Sequence, residues 1–187
     1  MSRVVDAGAV FAGWVGLAMA LVLAISFELI IPVQALVFLF ALPCGVVIGV
    51  YANVRAERWA PRGRVLLNAL WAGVVTGVSL ALIYVSIRLV FIYGDTGALP
   101  DGTRLNCQTG PDCIYMRYVN LGQAGELATL GITDGPSLEA ATWRELIVTG
   151  TGLVLLTLGG AAIGGVARTF APRPTSLPLP TARVRAD

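Results

Sequence analysis

Four blocks of almost uninterrupted apolar residues, each about 20 long, constrain this chain more than anything else in it. A helix needs about 20 such residues to cross roughly 30 Å of hydrocarbon at about 1.5 Å per residue. The expected fold is therefore all-α: a polytopic integral membrane protein built as a bundle of four transmembrane helices. Composition agrees, because 56% of the residues are hydrophobic and 13% are charged, against about 25% charged in an ordinary soluble domain.

The blocks place helices at about 7–27, 32–54, 65–93 and 137–167. Residues 1–171 then form one membrane domain, with a loop over 94–136 between the third and fourth helices. A Pro- and Arg-containing tail, 172–187, follows and is expected to be disordered. Pro32 ends one helix and starts the next in a tight hairpin, and Pro43 is expected to bend the second helix. Inside the loop, apolar residues at near-helical spacing between Tyr115 and Leu130 predict a short helix on the membrane surface.

Charge orients the blocks. Arg55, Arg58, Arg62 and Arg64 fill the short loop between the second and third helices, and Arg168, Arg173, Arg183 and Arg185 follow the fourth. Asp and Glu dominate the segment from Asp95 to Glu145. By the positive-inside rule, both termini are expected in the cytoplasm and the 94–136 loop outside, in a multi-pass protein of the cell membrane. Trp59 is expected at headgroup level. An uncleaved anchor fits the first block better than a signal peptide, since the apolar run continues past Ala20. All 13 basic residues are Arg, a usage that fits a GC-rich bacterial genome and hence a bacterial inner membrane. The arginines flank apolar spans without interleaved aromatics, so nucleic acid is not an expected partner.

The chain has no His, which removes the commonest acid/base and metal ligand. No metal site and no cofactor are expected. Cys107 and Cys113 bracket a turn-rich segment in the outer loop and are expected to form a structural disulfide. Cys44 is expected to pack in the second helix as a small apolar residue. There is no Cys-x-x-Cys pair of the kind membrane thiol oxidoreductases use.

Small residues recur every four positions. Gly16, Gly45, Gly49, Gly73, Gly77, Gly160 and Gly164 lie on such faces, where missing side chains let helix backbones approach. The same faces can serve packing within the chain or against another chain. Two charges fall within or at the edge of the spans, Glu28 and Arg88, and the sequence predicts that they pair near the outer face or hold a lipid or quinone headgroup.

No nucleotide-binding loop, catalytic-triad pattern or metal motif is present, so a non-catalytic subunit packing against a larger membrane complex is the first expectation. A small channel, carrier or lipid- or quinone-binding protein organised around Arg88 and Glu28 is the second, and a thiol or quinone oxidoreductase the third. The expected partners are membrane lipids with either a larger complex or further copies of the chain.

Overall fold

The computed structural model describes residues 5–30, 34–54, 61–99 and 101–170. Arg3, Pro32, the Arg55–Arg58 pair with Trp59, and the 172–187 tail lie outside the described residues. The described residues are helical, with no strand among them beyond one isolated antiparallel bridge, Ala98 to Arg104.

Helix α1 spans Ala7–Ile25 and runs into a π-helical turn, Ser26–Ile30. Helix α2 covers Gln34–Tyr51 and α3 Arg62–Tyr93. Two short helices follow, α4 (Pro111–Asn120) and α5 (Ala124–Thr129), and α6 closes the order at Gly135–Phe170. Three of these are long and apolar enough to cross a membrane: Ala7–Ile30, Arg62–Tyr93 and Gly135–Phe170. The apolar part of α2, Ala35–Tyr51, is shorter.

Helix ends explain where hydropathy and structure differ. Pro61 stands in extended conformation before α3, so the helix begins a turn ahead of the apolar run at Val65, with the charged residues Arg62 and Arg64 in its first turn. The stretch from Tyr115 to Leu130 is divided between two helices because Gly122 takes φ +78°, a left-handed conformation that a residue without Cβ adopts freely. At α6, Asp134 accepts a hydrogen bond from the Ser137 amide at 2.8 Å, and Ser137 Oγ accepts from the Asp134 amide at 3.0 Å. That reciprocal pair satisfies two amides that a helix start would leave open.

Packing is led by α6, which lies against both α2 and α3, while α1 lies against α3. In lipid the gain comes from close dispersion contact, so small residues belong inside and large apolar ones outside. The molecule is sorted that way. Ala9, Ala12, Ala20, Ala24, Ala41, Ala69, Ala72 and Ala161 are fully buried, whereas Leu82, Val90, Phe91, Ile147, Leu155 and Phe170 are exposed. Cys44 packs among Ala9, Ala12, Ile48, Ala52 and Ala72.

The glycines explain how tightly the helices meet. A Cβ on Gly45 or Gly49 of α2 would run into the backbone of Thr157 or Ala161 on α6. Reciprocally, a Cβ on Gly160 or Gly164 would run into the backbone at Leu42 or Val46 on α2. A Cβ added to Gly73 or Gly77 of α3 would come within 2.5 Å of Ala161 or 3.2 Å of Val154 on α6, and one on Gly16 of α1 would run into Thr76 of α3. All seven of these positions are thus taken up by contacts within the chain.

Exposed aromatic residues mark two levels on the outside of the bundle. Trp14 is 67% and Trp71 45% exposed near one end. Tyr93 and Trp143 meet at the other, where Trp143 Nε1 donates to Tyr93 Oη at 3.2 Å and Tyr93 donates to Glu139. Trp71 and Tyr93 are about 33 Å apart along α3, close to the roughly 30 Å of a hydrocarbon layer.

Candidate functional site

Between those levels the helices are closely packed. Thr76 and Thr157 are fully buried, and each hydroxyl donates at 2.8 Å to the carbonyl one turn back, Ala72 and Leu153 respectively. Neither offers a free polar group to a path through the middle.

Polar side chains gather instead at the two ends of the bundle. At the end carrying the 94–134 segment, the Arg88 guanidinium reaches across from α3, and its Nη2 lies 3.6 Å from Oε1 of Glu145 on α6. The Tyr84 hydroxyl, a turn earlier on α3, lies beside the Arg88 guanidinium. Glu28, in the π-helical turn after α1, lies in the field of the same guanidinium, and its Oε1 is buried with no hydrogen-bond partner. The turn after α1, with α3 and α6, therefore contributes two carboxylates, a phenol and one guanidinium to a single cluster. Arg88 sits about 7 Å from Tyr93 along the helix, below the aromatic level, where an unpartnered charge is costly.

The sequence leads to Glu28 and Arg88, and the structure brings both into this cluster, where Glu145 is an acid within ion-pair distance of Arg88. Glu145 is not legible as a partner from hydropathy, because it stands in the polar opening turns of α6. Only the crossing of α3 and α6 brings it down onto Arg88.

A second cluster occupies the opposite end. Asn68 of α3 is fully buried and Asn53, just after α2, is 4% exposed. Asn68 Nδ2 donates to Asp6 Oδ2 at 2.8 Å, and the Asp6 amide donates to Asn68 Oδ1 at 3.2 Å. Arg64 Nη2 pairs with Asp6 Oδ1 at 2.8 Å. Asn53 Nδ2 donates to the carbonyls of Gly49 and Val65 at 3.1 and 3.0 Å. This lock ties the start of α1 to α2 and α3. The sequence reading passed over it, although an Asn within an apolar run is itself a signal, since a buried amide must find partners.

The segment between α3 and α6 is a cross-linked cap. Cys107 and Cys113 are disulfide-bonded, with Cα atoms 5.1 Å apart. Gly97 packs on both sulfurs, at 2.6 and 3.2 Å from an added Cβ, and takes φ +70°. Arg117 of α4 pairs with Asp95 at 2.9 Å, which holds the start of the loop against that helix. The Thr103 hydroxyl and amide both donate to Asp101 and hold its carboxyl below the usual range. Ser137, through side chain and then backbone, does the same to Asp134. Cys44 is in the half of the bundle that holds Ala9 and Ala52, so the three cysteines are not brought together. Among the described residues, no group of three or more Cys, Asp or Glu side chains is placed to hold a metal ion.

No protein-family model matches the sequence, and neither a curated protein nor a solved structure matches it.

Proposed function

We propose that the chain is a non-catalytic subunit of a larger assembly in a bacterial inner membrane. In this reading α1, α2, α3 and α6 cross the bilayer as four spans, both termini are cytoplasmic, and the disulfide-linked cap lies outside. The observation that carries it is the closed interior. Backbones of α2, α3 and α6 interlock at Gly45, Gly49, Gly73, Gly77, Gly160 and Gly164, and the buried hydroxyls between the two polar ends are satisfied by their own helices. Such a bundle carries nothing through its middle, which leaves its lateral surface and its cap as the working parts. The arginines at the Arg62 and Arg168 end favour a cytoplasmic placement of that end.

A lateral groove suits this role. Val78, Ala81, Leu82 and Val85 of α3 and Gly150, Thr151 and Val154 of α6 line an apolar hollow of about 330 Å³. Mild-detergent purification followed by native mass analysis tests the reading. Recovery with larger subunits in fixed ratio is the expected result, and a chain that runs alone or only with copies of itself overturns it.

A second reading has one observation in its favour, the buried Glu28 Oε1 that accepts no hydrogen bond. Glu28, Arg88 and Glu145 would then hold the headgroup of a lipid or quinone. Glu28→Gln should release a bound amphiphile while leaving the bundle folded, and retention of the same bound molecules would dismiss that reading.

A further inference from the structure

The end of the bundle opposite the cap has a feature the subunit reading does not use. Between the first turn of α3 and the last turns of α6 lies a cleft of about 270 Å³, walled by Arg62, Gly63, Leu66, Val166, Thr169 and Phe170. Its chemistry is graded. Leu66, Val166 and Phe170 make the wall apolar, and Arg62, an exposed residue, supplies a cation at one edge. Thr169 donates its hydroxyl to the Val166 carbonyl at 2.7 Å and so closes its own helix. Arg62 takes part in none of the ion pairs among the described residues, whereas nearby Arg64 is engaged by Asp6.

We propose that this cleft binds a phospholipid with a net negative headgroup, its phosphate on the Arg62 guanidinium and its glycerol and uppermost acyl carbons against Leu66, Val166 and Phe170. Three observations select that occupant. The cleft lies between the ends of two helices that are long and apolar enough to cross a membrane, which is where headgroups lie around such a bundle. Arg62 is about 13 Å beyond Trp71 along α3, on the headgroup side of the aromatic level, where its long, flexible side chain can turn back to a phosphate. Among the described residues, no carboxylate lines the cleft. A zwitterionic headgroup would bring a cationic amine with no counter-charge, whereas an anionic one leaves the charge of Arg62 fully matched. The site is independent of which face of the membrane it occupies.

The full chain, carrying a photo-reactive leucine analogue at position 66, is reconstituted into vesicles of equal phosphatidylglycerol and phosphatidylcholine with matched acyl chains. Mass analysis of the cross-linked peptide then identifies the occupant. The expected adduct is phospholipid, with phosphatidylglycerol enriched about five-fold over phosphatidylcholine, the preference one Arg near a lipid surface confers. Arg62→Ala, and Arg62→Gln, which keeps length without charge, should each return that ratio to the bilayer value, while Arg62→Lys should keep it. The inference is overturned by equal labelling of the two lipids in the native chain, by enrichment that survives both neutral variants, or by adducts to residues 171–187 or to a second copy of the chain.

Discussion

Arg88 on α3 and Glu145 on α6 face each other at 3.6 Å, with Glu28 of the turn after α1 in the same electrostatic field. One guanidinium thus answers two carboxylates on different helices. Coupling measured by double-mutant cycles should appear for both the Arg88/Glu145 and the Arg88/Glu28 pairs. The Glu145 pair is half-exposed and should contribute at most about 1 kcal/mol. Arg88→Leu alone should cost about 2 kcal/mol of stability in detergent, since it strands a buried carboxylate oxygen, and adding Glu28→Leu should recover much of that loss. Strict additivity of Arg88→Leu and Glu28→Leu would remove Glu28 from the cluster's energetics.

The interlock of α2 with α6 predicts opposite outcomes for two glycines one residue apart. A Cβ on Gly160 meets backbone of Leu42 and Val46, whereas one on Gly159 meets nothing within 4 Å. Gly160→Ala should destabilise the bundle by about 3 kcal/mol, because rigid backbones must separate. Gly159→Ala should be neutral or stabilise by about 0.5–1 kcal/mol through better helix propensity. Thermal unfolding of the two variants decides it, and equal effects would show that the helices do not pack through their backbones.

The disulfide of Cys107 and Cys113 closes a loop with a sequence separation of 6. A loop so short limits the entropic stabilisation to about 2 kcal/mol. Cys107→Ser should therefore loosen the cap and lower yield while leaving the unfolding of the apolar helices nearly unchanged. Protease cleavage near Gln108 under reducing and non-reducing conditions reads this directly.

Acid should fray the start of α6. Hydrogen bonds from Ser137 hold the Asp134 carboxyl below its usual value, so the cap contributes stability above the unfolded pKa of about 3.9. That contribution is lost as pH falls through the lower, folded value. Protection of the Ser137 and Leu138 amides, taken relative to the intrinsic exchange rate at each pH, should fall below about pH 4, and Ser137→Ala should move that fall to higher pH. Protection that does not respond to acid would show that the Asp134 cap is not formed.

Much of the bundle is legible in the order of the residues. Apolar length alone places α1, α3 and α6, because lipid asks only for length and hydrophobicity. Four-residue spacing singles out Gly45, Gly49, Gly160 and Gly164, but cannot say that they face one another, since the same pattern would serve two chains as well as one. Polar pairing is harder to read. Asn68 and Asp6 are 62 positions apart, and Arg88 finds Glu145 only because α6 returns alongside α3. Gly122 divides α4 from α5 through its backbone conformation, which no hydropathy pattern records.

The packing order bears on how the chain is made. Helix α1 finds its main neighbour in α3, soon after synthesis, but α2 finds its own in α6, and Gly45 meets a residue as distant as Thr157. Through the interval in which the ribosome is still adding the cap, the glycine-lined flank of α2 has no mate within the nascent chain. The last long helix to emerge is therefore the one that completes the bundle, and a polypeptide interrupted within the cap would leave α2 facing lipid with its narrowest surface bare.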